Sequence, residues 1–149
     1  MIKIINGDVT EAKENVIIHQ VNCQGKMGSG VALAIKNKFP EAYDKYMYAC
    51  NKYSPNFLLC NVVTAKGNGY KKIYNCFNQL NYGYDGKLYT DYRAFFETFL
   101  RVLDESKCDI AMPYKMGCDR GGADWDNIIY PFIKGCSLAF PYDIVMYKL

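Results

Sequence analysis

Residues 16–38 read VIIHQVNCQGKMGSGVALAIKNK, and this stretch decides the fold. Val16–Val21 is almost continuously apolar, which is typical of a strand whose sheet is covered on both faces. Glycines follow, and the pattern of Gly30–Lys38 predicts a helix. Glycine lets the backbone approach a ligand closely, and the free N–H groups at a helix N-terminus bind phosphate. The stretch therefore indicates either a phosphate-binding strand–loop–helix unit or a turn in which the glycines serve packing alone.

A second glycine-rich loop repeats this arrangement. Residues 113–125 read PYKMGCDRGGADW and follow a short predicted strand, Asp109–Met112. Asp124 is placed to cap a helix that begins at Trp125. The loop does not end in the Gly-Lys-Ser/Thr of a P-loop, and it lacks the glycine spacing of the dinucleotide fingerprint. Two loops of this kind in one small chain suit a diphosphate better than a single phosphate.

The remaining pattern alternates strands and helices from end to end, which indicates an α/β fold. Pro40 is placed to start a helix, and Thr90 is placed to cap another that runs to about Leu103. Pro131 is expected to kink or shorten the helix that begins at Trp125. Further strands are predicted at residues 1–5, 57–64, 72–77 and 143–149, with a turn at 67–69.

The composition is that of one globular domain spanning residues 1–149. A formal net charge of +3 favours anions without singling out nucleic acid. The chain has seven cysteines without Cys-x-x-Cys spacing and a single histidine, so we expect no metal site. The odd cysteine count and the lack of a signal peptide predict a cytoplasmic location. No apolar stretch approaches membrane-spanning length, so we expect no membrane partner.

Three motifs in the correct order resemble those of the macrodomain family. They are Ile5–Thr10 (INGDVT), residues 21–32 in the first loop and residues 112–125 in the second. The resemblance covers nearly the whole chain and is closest to the branch with the yeast-type ADP-ribose-1″-phosphate phosphatase and the terminal ADP-ribose protein glycohydrolases. It implies a three-layer α/β/α sandwich with a mixed central sheet and ADP-ribose as the ligand. We further expect a monomer without a cofactor.

The resemblance also assigns roles to individual residues. Asp8 is expected to accept a hydrogen bond from the adenine amino group, and the Val9 backbone to lie beside that base. Asn22 is expected to hold the distal ribose. The residues expected around the diphosphate and distal ribose are Gly28, Ser29, Gly30, Val31, Gly117, Cys118, Asp119, Arg120 and Gly121. Without the resemblance, Asp8 reads as a turn residue after Gly7.

Three residues are candidates for catalysis: His19, Asn22 and Asp119. His19 is the single histidine and lies three residues before Asn22. Histidine is the natural general acid or base near neutral pH, but a lone strand histidine is also a common structural residue. Asp119 stands where the family usually has glycine, so it either activates a water or points to solvent. Arg120 beside it either holds a terminal phosphate or neutralises that carboxylate.

One expected feature is missing from the sequence. The glycohydrolase relatives use a lysine after the strand that matches residues 72–77, and Asn78 and Gln79 stand there in this chain. Their partner aspartate matches Gly121. Lys87 could reach the site from the flexible tyrosine-rich loop and take the place of that lysine, but nothing in its spacing requires this. This departure argues against a lysine-dependent glycohydrolase reaction.

Four functions remain open at this stage. The first is a phosphatase that removes the 1″-phosphate of ADP-ribose-1″-phosphate, and the second is a hydrolase that removes ADP-ribose from proteins or nucleic acids. The third is a reader that only binds ADP-ribose. The fourth, a single-stranded RNA-binding module, is suggested by the many tyrosines and the mild positive charge. Tyrosines of the 82–89 segment either line the ligand pocket or belong to a surface loop: Tyr82, Tyr84 and Tyr89.

Overall fold

The computed structural model describes residues 1–149 and contains one six-stranded mixed sheet with helices on both faces. The strands are β1 (Ile2–Asn6), β2 (Val16–Asn22), β3 (Val62–Lys66), β4 (Lys72–Gln79), β5 (Ile110–Pro113) and β6 (Ile144–Lys148). The helices are α1 (Gly30–Lys38), α2 (Pro40–Lys52), α3 (Pro55–Leu58), α4 (Tyr92–Ser106) and α5 (Tyr130–Ala139). The strand order is β1-β6-β5-β2-β4-β3, and all neighbours are parallel except β3 and β4.

Each face of the sheet carries its own hydrophobic core, which confirms the predicted three-layer sandwich. On one face, Ile17 and Val21 of β2 pack with residues of α1 and α2, among them Ile35 and Tyr46. On the other face, Ile18 packs with residues of α4 and α5. Strand side chains alternate between faces, so a strand buried on both sides is apolar at nearly every position. This explains the continuous apolar run in β2.

The carboxyl ends of β2, β4 and β5 meet at one edge of the sheet. Their pairing is regular until Val21 and Asn22, where the register between β2 and β4 shifts. A shift of this kind bends a strand and redirects the side chains at its end. Asn22 thus enters the first glycine-rich loop, and Pro113 at the end of β5 enters the second.

Two predictions about element boundaries are wrong. Residues 57–64 do not form one strand, because Pro55–Leu58 is a helical turn whose N-cap, Ser54, accepts a hydrogen bond from the Phe57 N–H. The N-cap of α4 is Asp91 and not Thr90, since the Asp91 carboxylate accepts from the Ala94 N–H at 2.9 Å. The Thr90 hydroxyl is used elsewhere, in a hydrogen bond to the Gly117 carbonyl of the second glycine-rich loop.

The predicted cap at Asp124 is confirmed, but the segment after it is irregular. Asp124 accepts from the Asn127 N–H at 3.0 Å, and Trp125–Ile129 form a π-helical turn. Pro131 is the second residue of α5, and the helical backbone is continuous there, since Ile129 and Tyr130 both have right-handed helical angles. The segment thus changes from π-helical to α-helical next to Pro131 without a break. The 3₁₀ turn Val9–Glu11 was not predicted. None of the helices is both long and apolar enough to cross a membrane.

Candidate functional site

A cavity of about 360 Å³ opens at the carboxyl ends of β2, β4 and β5. This volume lies within the range of small-molecule sites, roughly 300–1,000 Å³. Ligands of open α/β sheets bind at this end of the strands. The wall of the cavity is formed by both glycine-rich loops, by strand ends and by the tyrosine-containing segment 82–84. The lining residues are Gln20, Val21, Asn22, Lys26, Gly28, Ser29, Gly30, Val31, Ala32, Gln79, Tyr82, Gly83, Tyr84, Pro113, Tyr114, Lys115, Met116, Gly117, Asp119, Arg120 and Gly121.

The first loop is held from below by Tyr46 of α2. The Tyr46 hydroxyl donates to the Asn22 carbonyl at 2.8 Å and accepts from the Lys26 N–H at 3.0 Å. The Asn22 side chain closes the loop neck, since its Nδ2 donates to the Lys26 carbonyl and its Oδ1 accepts from the Gln24 N–H, both at 2.9 Å. Burial raises the pKa of the Tyr46 hydroxyl well above its usual range, so it stays a hydrogen-bond donor. Asn22 is therefore fixed at the cavity wall.

The loop then leads into the N-terminus of α1 without a side-chain cap. Ser29 is the N-cap residue and has no side-chain hydrogen bond to the first turn, which also contains no acidic residue. Gly30 has a φ of +58°, in the left-handed region that glycine tolerates. The first N–H groups of a helix lack internal partners and attract anions. Because Gly28, Gly30 and Val31 line the cavity, this end of α1 suits a phosphate.

The second loop is tied to β2 and β4 by a polar network that sequence reasoning missed. The Thr90 hydroxyl donates to the Gly117 carbonyl at 2.8 Å. The Gln20 Nε2 donates to Thr90 Oγ1 and to Gln79 Oε1, both at 2.8 Å. The Gly121 carbonyl accepts from the N–H groups of Tyr89 and Thr90. These bonds fix the floor of the cavity, and the two glutamines present amides to it.

Tyr84 bridges the mouth of the cavity from the first loop to the second. Its hydroxyl lies 3.4 Å from Ser29 Oγ, and the Arg120 guanidinium lies 4.4 Å from its ring centroid. Such a cation–π contact is favourable but weak at an exposed site. Tyr82 also lines the cavity, whereas Tyr89 does not and donates to the Asp85 carboxylate at 2.9 Å. We call the contact among Ser29, Tyr84 and Arg120 the tyrosine bridge.

The charges in the wall favour an anionic ligand. Three cations line the cavity, Lys26, Lys115 and Arg120, against one acid, Asp119. Cys118 does not line it, and burial raises the pKa of its thiol to about 11, so it is neither an anion nor a nucleophile at neutral pH. No group of three or more His, Cys, Asp or Glu side chains is arranged to hold a metal ion.

His19 lies in the core and not in the cavity, which corrects its proposed place beside the ligand. It is 1 % exposed, and its Nε2 donates to Asn75 Oδ1 at 2.6 Å. Asn75 in turn donates to the Ala42 carbonyl of α2 at 3.1 Å. Burial lowers the pKa of His19 to about 4, so the ring is neutral at pH 7. His19 lies on the same face of β2 as Val21 but two residues before it, where α2 covers the strand through the contact of Asn75 with Ala42.

Asp8 and Val9 also lie outside the cavity wall. The Asp8 carboxylate caps the turn Val9–Glu11, where its Oδ1 accepts from the Thr10 N–H at 2.9 Å and from the Thr10 hydroxyl at 2.8 Å. Val9 is buried in the core beneath α1 and α2. The two residues predicted to contact adenine therefore lie outside the cavity.

The structure brings together most of the predicted ligand residues, and these are Asn22, Gly28, Ser29, Gly30, Val31, Gly117, Asp119, Arg120 and Gly121. Sequence reasoning missed Gln20, Lys26, Tyr114 and Lys115. A signal existed for Gln20, because it lies at the carboxyl end of a predicted buried strand, where open α/β sheets bind ligands. Lys26 and Lys115 belong to the first and second glycine-rich loops, respectively, but no spacing rule singled them out. Lys87 does not line the cavity and lies 3.7 Å from Asp85.

Comparison with known proteins agrees with this geometry. The model of the Macro domain family matches residues 18–129. The chain is 30 % identical over 150 residues to the DNA ADP-ribosyl glycohydrolase of Mycobacterium tuberculosis, covering 99 % of this chain and 42 % of that protein. It is 44 % identical over 61 residues to the ADP-ribose 1″-phosphate phosphatase of Aspergillus oryzae, covering 39 % of this chain and 30 % of that protein. The chain thus spans less than half the length of these relatives.

Solved structures share the fold. The macrodomain of Mycobacterium tuberculosis DarG superposes with a TM-score of 0.81 at 24 % identity, covering 99 % of this chain and 97 % of that one. Thermosipho africanus DarTG, solved in complex with ADP-ribose, superposes with a TM-score of 0.79 at 18 % identity, covering 99 % of this chain and 41 % of that one. The family match spans well over half of the sequence, and the sheet, helices and loop positions agree with it. This chain belongs to the macrodomain family.

Proposed function

We propose that the cavity binds ADP-ribose and that the domain hydrolyses a bond at the distal ribose. Free helix N–H groups and three cations suit the diphosphate. The second Nδ2 hydrogen of Asn22, which its bonds within the loop do not use, suits a ribose hydroxyl. Relatives named for activities on ADP-ribosyl compounds support this ligand class. The seven free cysteines fit a reducing compartment, so we keep the cytoplasm as the expected location.

The first candidate substrate is ADP-ribose-1″-phosphate. The observation that carries it is the wall chemistry: Asp119 is the one carboxylate there, beside Lys26, Lys115 and Arg120. A carboxylate next to a bound phosphate is unfavourable unless it accepts a proton or orders a water. In the proposed step, water attacks the phosphorus and gives a proton to Asp119. The phosphorus–oxygen bond to the ribose breaks, the ribose oxygen gains a proton from solvent, and the cations stabilise the transferred charge.

Asp119→Asn tests this role. It keeps the shape of the side chain and removes the base, so phosphate release should fall by roughly 10²–10⁴-fold while ADP-ribose affinity holds or rises. Asp104→Asn is the matched control, because Asp104 is an exposed acid on α4 away from the cavity. Parent and Asp104→Asn should release phosphate equally. Equal release by Asp119→Asn would exclude Asp119 as the base, and no release by the parent would exclude the phosphatase.

The second candidate is removal of ADP-ribose from a nucleic acid, favoured by similarity over 99 % of this chain to a DNA ADP-ribosyl glycohydrolase of which it covers 42 %. A lysine-dependent form of this reaction fits the cavity poorly. By the family resemblance Asn78 and Gln79 stand at the position of the lysine, and Gln79 lines the cavity. A Cβ at Gly121 would meet Thr90 Oγ1 and the Gly117 carbonyl, which leaves no room for an aspartate.

Product analysis separates the candidates. A glycohydrolase releases ADP-ribose without phosphate, and a protein that only binds releases neither. Borohydride trapping with ADP-ribosylated DNA should give no adduct. An adduct mapped to Lys26 or Lys115 would instead show that a cavity lysine replaces the missing one.

A further inference from the structure

The charges of this chain are unevenly distributed. Residues 45–84 contain five lysines and no aspartate or glutamate. The whole chain has 18 Lys and Arg against 15 Asp and Glu, so the other residues carry 13 cations and 15 acids, a net charge of −2. The acid-free segment comprises the second half of α2, all of α3 and the strands β3 and β4. This segment therefore carries a net charge of +5, while the rest of the chain carries −2.

Exposed aromatic side chains lie in this segment at the junction of α2 and α3. Tyr48 is 63 % exposed, Tyr53 is 40 % exposed and Phe57 is 59 % exposed. The rings of Tyr53 and Phe57 stack with centroids 4.8 Å apart and planes 21° from parallel. The Lys52 ammonium lies 5.5 Å from the ring centroids of both Tyr48 and Tyr53. We call these four residues the aromatic platform.

The platform faces away from the cavity. Lys45, Tyr48 and Lys52 are spaced at i, i+3 and i+7 and so lie on one face of α2. The opposite face carries Tyr46 and Met47, which contact the first loop. These aromatic rings do not line the cavity. A cluster of exposed aromatic rings is uncommon on a protein surface that binds nothing.

The acids nearest in sequence or contact do not neutralise the platform. Glu41 accepts a hydrogen bond from the Lys66 N–H at 2.5 Å, and Glu97 pairs with Arg93 at 2.8 Å. Asp44 is the one remaining acid on α2, and it lies one turn before Tyr48 on the same helix face. Two lysines, Lys45 and Lys52, against this one acid still leave the face with a net positive charge of one.

We propose that the aromatic platform binds single-stranded nucleic acid. Unpaired bases stack on exposed aromatic rings, and lysines beside those rings contact the phosphates. A duplex hides its base faces, so it cannot use the stacked pair Tyr53 and Phe57. Aromatic rings also occur at protein–protein interfaces, but lysine is depleted there, so the lysines beside these rings favour nucleic acid. The proposal is independent of the reaction in the cavity, since the two surfaces lie on opposite faces of α2.

Fluorescence anisotropy with labelled oligothymidylate and oligouridylate of about 12 nucleotides, within the usual site sizes, tests this proposal. The parent should bind both strands at low salt and bind a matched duplex more weakly. The double variant Tyr53→Ala, Phe57→Ala should weaken binding to single strands by roughly tenfold or more. Lys52→Gln should reduce the slope of log affinity against log salt by about 0.7, the value for one phosphate contact.

Tyr70→Ala is the matched control, because Tyr70 is 92 % exposed in the same acid-free segment but lies on the turn between β3 and β4. It should bind like the parent. Thermal melting and ADP-ribose titration of each variant show whether the fold and cavity are intact. Equal binding by the double variant and the parent, equal binding of duplex and single strand, or no binding at low salt would each overturn the proposal.

Discussion

The two glycine-rich loops have the same sequence signature, but their glycines serve different purposes. An added Cβ at Gly28 or Gly30 in the first loop meets nothing within 4 Å. An added Cβ in the second loop meets the protein itself: at Gly117 the Gln20 Oε1 at 2.8 Å, at Gly121 the Gly117 carbonyl, and at Gly122 the carbonyl of Lys87. Gly28 and Gly30 in the first loop thus leave open space that a ligand can occupy. The glycines of the second loop instead allow close packing of the loop against neighbouring protein atoms.

This difference has a physical origin in how each loop is held. The first loop is anchored at its neck by Asn22 and Tyr46, and the stretch beyond it stays open. The second loop is folded onto Thr90 and Gln20, so its backbone lies against neighbouring groups. Substitutions of the second loop's glycines should therefore affect stability, whereas substitution of Gly28 in the first loop should affect affinity.

Gly121→Ala should have the largest effect on folding. The new methyl group would overlap Thr90 Oγ1 and the Gly117 carbonyl, and overpacking of this kind costs about 3 kcal/mol. Gly28→Ala is the control, and it should change the free energy of unfolding by less than about 0.5 kcal/mol. Urea unfolding measures both. Equal stability of the two variants would remove the distinction between the loops.

Thr90→Val should have the next largest effect. It keeps the branched shape but removes the hydroxyl that joins Gln20 to the Gly117 carbonyl, and Thr90 is 3 % exposed. Loss of these bonds should lower the free energy of unfolding by about 1–2 kcal/mol. Thr64→Val on the exposed side of β3 is the matched control and should be near neutral. If both variants match the parent, the polar network does not hold the second loop.

Sequence reasoning predicted the α/β architecture, the buried strand β2 and both loops, because these follow from periodicity and glycine placement. It did not predict which face His19 occupies, since a strand buried on both sides carries no polar face to orient it. Ser54 and Pro55 signalled the helical turn that was predicted as strand. The contact of Tyr84 with Arg120 joins segments far apart in sequence, and no local pattern encodes it.

Removing the tyrosine bridge should have the smallest effect. Tyr84→Ala takes away an exposed cation–π contact and a hydroxyl 3.4 Å from Ser29, so stability should change by less than about 1 kcal/mol. The mouth should open, and the association rate for ADP-ribose should rise or hold in stopped-flow measurements. Tyr70→Ala, another exposed tyrosine, controls for the loss of a surface ring. A slower association rate in Tyr84→Ala would mean that the bridge guides the ligand and does not block it.

The measurement that tests the central claim most directly is calorimetric titration of ADP-ribose into the parent and into Gly28→Val. The parent should bind one ADP-ribose per chain, and its melting temperature should rise with ligand concentration. Gly28→Val should fold as stably as the parent but bind roughly tenfold or more weakly, because its side chain fills the space next to α1. No heat and no change in melting at millimolar ADP-ribose, or equal affinity in both proteins, would contradict a binding site between these loops.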